Sequence, residues 1–238
     1  MISIVSPEEP PEQRARPEPG RAFEVRADLS PRDPAVRATL QDWIAASAVL
    51  AERPVSHRTR LKLEDCRRIT GELLAVLAGD EPGEGTAEAR RILAVSCRGR
   101  AQALASAFVC PRGTFVELLA AAPWNLLGPA DPSDLRTVRG AGTALLHVIA
   151  ERSAARGAGG RVALLAENPR SGQRYQRIGF RRMTPADLPL QLVPPGAHGH
   201  SPSIVRLATG AAGPEEERSP WMVLEAIGQL EALRRAGH

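Results

Sequence analysis

Between Arg91 and Ala121 three apolar runs, Ile92–Ser96, Ala101–Val109 and Phe115–Ala121, are separated only by Arg98-Gly99-Arg100 and Pro111-Arg112-Gly113. Connections that short join antiparallel neighbours, so the stretch predicts a three-stranded meander. Upstream, Phe23-Glu24-Val25-Arg26 alternates as a first strand does. Ser30-Pro31 reads as a helix cap followed by proline at the first helical position. From there Val36, Leu40, Trp43, Ile44 and Ala48 keep helical spacing, and the helix should end before Pro54. A second helix is predicted over Leu63–Ala78, with Ile69, Leu73, Leu74 and Leu77 on its apolar side, and Asp80–Thr86 is a turn-rich linker.

After the meander the glycines carry the information. Gly140 and Gly142 open a segment in which Leu145, Val148 and Ile149 fall at helical spacing, and Gly157 suits the left-handed residue that closes a helix. A helix is therefore predicted from Gly140 to Arg156. Glycine at a helix start lets a ligand approach the backbone without a Cβ in the way, and the free N–H groups there suit phosphate. Arg161–Ala166 then reads as a short buried strand, and Ser171–Ile178 as a short helix that stops at Gly179.

The order of these elements resembles the acetyl-CoA-binding core of the GNAT N-acetyltransferase superfamily. In that family a Gln/Arg-x-x-Gly-x-Gly/Ala turn holds the pyrophosphate, and Arg139-Gly140-Ala141-Gly142-Thr143-Ala144 meets it at Arg139, Gly142 and Ala144. The resemblance implies a cofactor site over Val138, Arg139, Gly140, Ala141, Gly142, Thr143 and Ala144. It also implies a role for Asn168 against the cofactor's pantetheine or backbone, since the family's asparagine is followed seven positions later by a tyrosine and then by Gly-Phe. Asn168, Tyr175 and Gly179-Phe180 keep that spacing, and Tyr175 is the only tyrosine in the chain. The family's tyrosine protonates the departing thiolate, and a phenol with a reference pKa of about 10 is a competent donor at neutral pH. The bland alternative is a ring packed on the sheet with its hydroxyl in water.

The resemblance also marks Glu117 as the carboxylate that takes a proton from the attacking amine, with burial among apolar neighbours tuning it for the task. The alternative is a glutamate on the solvent face of a strand. Between that strand and the glycine turn stands an insertion, Trp124 to Leu135, longer than such families carry. Trp124 and Asn125 are the acceptor-pocket candidates, or Trp124 plugs the gap between strand and helix.

Composition narrows the class. A chain of 238 residues fits one domain with appendages, or at most two domains. The three cysteines form neither a metal pattern nor a disulfide framework, which points to a reducing, cytoplasmic setting. No run approaches the roughly 18 apolar residues of a membrane span. A net charge of +4 suits an anionic cofactor without demanding nucleic acid. Lys62 is the only lysine, and arginine carries the remaining positive charge, as a GC-rich, bacterial-like coding bias would produce. No Lys/Arg cluster with interleaved aromatics is visible, which weighs against tRNA as a partner. His198-Gly199-His200 has no cysteine or acidic partner nearby and reads as loop, so no metal site is expected.

These readings give an α+β fold, an α/β/α sandwich with a mixed, mostly antiparallel central sheet. Residues 1–20 are expected to form a flexible leader, 21–184 the acetyltransferase core, and 185–238 a C-terminal extension that completes the sheet. Within the extension Ser203–Ala208 is a strand candidate, and Ser219-Pro220 reads as the start of a helix through Leu224, Ile227, Leu230 and Leu233. The expected activity is acetyl transfer from acetyl-CoA to a primary amine by direct attack. A non-catalytic acyl-CoA-binding sensor or interaction module is the rival, and the sequence leaves monomer and homodimer open.

Overall fold

The computed structural model describes residues 23–29, 33–79, 90–110, 113–166, 169–183 and 221–224. In chain order these form β1 (Glu24–Leu29), α1 (Pro34–Ala51), α2 (His57–Gly79), β2 (Arg90–Cys97), β3 (Arg100–Cys110) and β4 (Gly113–Ala121). A 3-10 turn at Pro123–Leu126 follows, then α3 (Ala141–Ser153), β5 (Val162–Leu165), α4 (Pro169–Arg177), β6 (Arg181–Arg182) and β7 (Trp221–Leu224). The seven strands lie in the order β1-β2-β3-β4-β5-β7-β6, and β4 with β5 is the one parallel pair. α3 is the crossover that parallel pairing requires.

Two cores explain why the meander strands are apolar along most of their length. Leu93, Val95, Ala103, Ala105 and Ala107 pack with α3, whereas Ile92, Ala94 and Leu104 pack on the opposite face with α1 and α2. Neither face of the central strands meets water, so both sets of alternating residues are hydrophobic. The α3 face is lined with alanines, which lets Leu145, Leu146 and Ile149 come close to the sheet and fills the core with few aromatics.

The predicted meander, both helices ahead of it and the helix-strand-helix unit after it are all present, with shifted ends. α1 starts at Pro34 and is capped by Asp33, whose Oδ1 accepts from the Ala35 amide at 2.8 Å, while Ser30 and Pro31 lie outside the described residues. α2 starts at His57, well ahead of Leu63, because its first turns are polar and are nucleated by Ser56, which accepts from Thr59 and Arg60. Gly157 has the expected left-handed φ of 84°, although α3 reaches it through a wide turn over Ala154–Ala158.

The C-terminal reading needs a correction. Trp221–Leu224 is a strand inserted between β5 and β6, where the period had suggested a helix. A four-residue apolar run fits either state by spacing alone, and the bare edge of β5 decides it, covering Met222, Val223 and Leu224 almost completely. The leader, the 80–86 linker, Ser203–Ala208, His198, His200 and the segment after Leu224 lie outside the described residues. Among the described residues no helix is long and apolar enough to cross a membrane, and no group of three or more metal-ligating side chains occurs.

Candidate functional site

The sheet opens along one seam. β4 and β5 pair at Thr114↔Val162, Phe115↔Ala163 and Val116↔Leu164, after which β5 ends and β4 runs on to Ala121. At the seam β4 bulges: Ala107 faces Val116 and Ser106 faces Leu118, which leaves Glu117 as the extra residue. Bulges bend a strand and redirect a side chain, so this one widens the gap between β4 and β5.

α3 begins at the open end of that gap. Gly140 holds a left-handed φ of 85° at the cap position and supplies no side-chain cap. The first intrahelical bond runs from the Ala144 amide to the Gly140 carbonyl, so the amides of Ala141, Gly142 and Thr143 have no acceptor within the helix. Gly142 is the informative residue. A Cβ built on it would meet only Leu119 Cδ2, at an ordinary 3.8 Å. Gly142 is itself buried, and the fold accepts alanine at this position although glycine disfavours helix.

The turn is fixed from behind. Asn125 Oδ1 accepts from the Val138 amide at 2.6 Å, and its Nδ2 donates to the carbonyl and side-chain oxygens of Gln102 at 3.2 and 3.0 Å. Thr137 Oγ1 donates to the Trp124 carbonyl at 2.9 Å. The Arg139 guanidinium donates to the Leu127 carbonyl at 2.6 Å and that of Asn125 at 3.3 Å, so it braces the insertion against the turn. Trp124 is 2% exposed, donates to Gln102 Oε1 at 3.0 Å and meets Trp43 edge-on at 6.5 Å. It packs in the space between strand and helix, and the polar groups of Asn125 are spent on the same brace.

The insertion also brings cations together. The buried Asp131 accepts from the Ser56 amide at 2.7 Å, from Thr59 Oγ1 and from the Gly128 amide, tying the loop to the first turn of α2. Burial alone would push the Asp131 carboxyl up, but these donors outweigh it and hold the group below the usual carboxylate range. One turn along α2 stands Lys62, at helical spacing from Arg58. Burial pushes the Lys62 ammonium below its ordinary value, and the charges of Arg58, Arg139 and Arg174 push it further, with Asp131 opposing. Lys62 on α2 thus feels the charges of Arg139 in the glycine turn and Arg174 on α4. Sequence reading missed Lys62, Arg58 and Arg174. The one available signal was that the chain's single lysine stands where arginine would otherwise be expected.

Glu117 sits on β4 as expected, but in different surroundings. It is almost buried, and its oxygens accept from Ser106 Oγ at 2.9 Å and Arg90 Nη2 at 3.3 Å, while Arg90 lies over the Phe108 ring at 4.8 Å. An ion pair across β2, β3 and β4 replaces the apolar neighbours that the sequence had suggested. Tyr175 projects from α4 and packs half-buried against the α3-side core, its ring 5.7 Å from that of Phe180. Gly179, with φ of 95°, ends α4 and turns the chain so that the Phe180 amide donates to the Tyr175 carbonyl. Ser106 shares the face of Leu104, which packs with α1 and α2, so Glu117 and Tyr175 belong to opposite faces of the sheet around the seam. Asn168 lies outside the described residues.

Solved structures that align with this chain include N-acetyltransferases. The PaiA N-acetyltransferase of Thermoplasma acidophilum, in complex with coenzyme A, is 15% identical over 68% of this chain and 91% of its own, with a TM-score of 0.38. An acetyltransferase of Streptococcus agalactiae is 13% identical over 84% and 96%, with a TM-score of 0.43. A GCN5-related N-acetyltransferase of Rhodopseudomonas palustris is 16% identical over 68% and 82%, with a TM-score of 0.39. No family model matches the sequence, and curated proteins give no significant match. At these identities and scores the likeness decides nothing about the chemistry, which has to be read from the chain's own residues.

Proposed function

We propose that the chain is an N-acetyltransferase of the GNAT type, holding acetyl-CoA with its pyrophosphate against Val138–Ala144 and passing the acetyl group to a primary amine. The observation that carries this reading is the uncapped start of α3, where the amides of Ala141, Gly142 and Thr143 have no acceptor within the helix and Gly142 stands where alanine would fit, with positive charge nearby in Arg139 and in Lys62, which feels Arg139. A doubly charged pyrophosphate matches that combination of amides, space and charge. The motif positions Arg139, Gly142 and Ala144 point the same way.

In this reading the thioester lies in the seam between β4 and β5. The amine nitrogen attacks the thioester carbonyl carbon, the C–S bond breaks, and the acetyl group ends on nitrogen. Tyr175 gives its phenolic proton to the departing thiolate, and Glu117 receives the proton that the amine releases, directly or through water. Asn168 contacts the pantetheine arm, and Trp124 and Asn125 shape the acceptor side by fixing the insertion. The setting is cytoplasmic, with no nucleic-acid partner.

A second reading, acyl-CoA binding without turnover, is favoured by one observation: both Glu117 oxygens are already engaged by Arg90 and Ser106. Calorimetric titration of acetyl-CoA into wild type and Gly142→Asp tests the shared part. Binding that Gly142→Asp abolishes supports the cofactor site, and no binding to wild type ends both readings. Thiol release in the presence of a panel of amines then separates them. Tyr175→Phe should slow release about 100-fold or more while leaving binding intact if transfer occurs, and no release with any amine favours the binding module.

A further inference from the structure

Exposed arginines on two helices of this chain are handled differently. On α2, Arg68 has acids at helical spacing on both sides, and its guanidinium pairs with Glu72 at 2.8 Å and with Asp65 at 3.9 Å. α4 carries no acid at all. Arg170, Arg174 and Arg177 fall at i, i+4 and i+7 along it, so they form one stripe. All three are exposed, and among the described residues none makes an ion pair or a hydrogen bond with them. From Pro169 to Met183 the chain holds these three, Arg181 and Arg182, and no aspartate or glutamate. Both β6 side chains, Arg181 and Arg182, are exposed as well.

The stripe works against the helix that carries it. Like charges one turn apart repel, and Arg170 stands in the first turn, at the positive end of the helix dipole. α4 has nine residues and none of them is buried, so packing offers little to offset this. The field of the stripe also reaches α2. Burial first, and then the charges of Arg58, Arg139 and Arg174, push the Lys62 ammonium below its ordinary value. A short helix thus keeps a row of positive charge at a cost to its own stability, where α2 interleaves acids.

We propose that the arginine face of α4 is a docking surface for an acidic polypeptide. Guanidinium groups pair with carboxylates two N–H donors at a time. Acidic residues at alternate positions of an extended chain recur every ~7 Å, close to the ~5.4 Å of one helical turn. A nucleic acid fits less well. Single strands stack bases on aromatic side chains, and Tyr175, the one aromatic residue of α4, packs inward against Phe180. The row from Arg170 to Arg177 is only about 10 Å long, short for the tract of phosphates that a duplex presents. By helical spacing the stripe and Tyr175 leave α4 in different directions, and docking does not depend on acetyl transfer.

Fluorescence anisotropy with a labelled polyglutamate peptide tests this on wild type, on Arg170→Gln/Arg177→Gln and on Arg67→Gln/Arg68→Gln, which removes the same charge from α2. Arg174 is left in place because its charge acts on Lys62. The peptide should bind wild type, and more weakly as salt rises. The α4 variant should bind it about tenfold more weakly, through the loss of two exposed charge pairs, and the α2 variant should bind it as wild type does. Relief of like-charge repulsion should keep the thermal midpoint of the α4 variant at or above that of wild type. No binding to wild type, an equal loss in both variants, or tighter binding of duplex RNA or polyuridine than of polyglutamate at the same salt overturns the proposal. So does an α4 variant that keeps its polyglutamate affinity but loses affinity for CoA and not for 3′-dephospho-CoA, a result that assigns the arginines to the nucleotide's phosphate.

Discussion

Two glycines beside β4, Gly113 at its start and Gly142 on α3 facing its open half, differ in what the fold asks of them. In the closed half, a Cβ on Gly113 would lie 2.9 Å from the Arg161 carbonyl oxygen, the same oxygen that accepts from the Thr114 amide at 3.0 Å and from Ser153 Oγ at 2.7 Å. In the open half, the Cβ missing from Gly142 would touch nothing closer than a leucine methyl at 3.8 Å. One glycine is required by the chain packing on itself. The other is not: nothing around its Cβ position excludes alanine, and it stands beside helix-start amides that have no acceptor within the helix.

This contrast can be broken by exchanging the two losses. Gly142→Ala should weaken acetyl-CoA by an order of magnitude or more while its unfolding midpoint stays at or above wild type, since alanine is the better helix residue. Equal binding by wild type and Gly142→Ala in calorimetry would remove the functional side of the contrast. Gly113→Ala should do the reverse. Overpacking against backbone costs about 1–3 kcal/mol, seen as a midpoint several degrees lower, with the affinity of the folded fraction retained.

Smaller effects sharpen the electrostatic side of the comparison. Lys62→Met should weaken acetyl-CoA several-fold and flatten the dependence of affinity on salt. The Lys62 pKa is lowered in the folded protein, so its charge is lost as pH rises toward the ordinary lysine value of 10.5. Wild-type affinity should therefore fall across that alkaline range more steeply than that of Lys62→Met. Asp131 and Asp134 work in the opposite direction. Donors from Ser56, Thr59 and Gly128 lower the first, and its hydrogen bond with Arg136 lowers the second. Their contribution to stability is thus complete above the ordinary carboxylate range and is lost as pH falls through their lowered values. Acid titration of wild type should show a loss of stability that Asp131→Asn shows less of, from a lower starting midpoint.

The sequence exposed the meander because both faces of those strands are covered, leaving apolar runs broken only by turn residues. It exposed the glycine turn because the demand there is local to a few backbone atoms. It hid the start of α2, whose first two turns are polar and depend on Ser56, Thr59 and a carboxylate from residue 131. The charges that act on Lys62 were hidden for the same reason: Arg139 and Arg174 are distant from it along the chain and act on it only in the folded protein. Glu117 was found on its strand, but a bulge and an arginine from β2 are properties of pairing, which no single run of residues displays. β7 was misread because Leu224, Ile227, Leu230 and Leu233 keep a helical period whose first member belongs to a strand.

β7 has a consequence for how the protein is made. It lies between β5 and β6, yet residues 166–220 are synthesised before it arrives. Until then β5 presents an open row of amides and carbonyls on that side, and among the described residues β6 lacks its one partner strand. A domain that folds as it leaves the ribosome would wait with an adhesive border along β5. Chains halted before Trp221 should accordingly stick to one another, and a peptide spanning Trp221–Leu224 supplied separately should quiet them by taking the empty place.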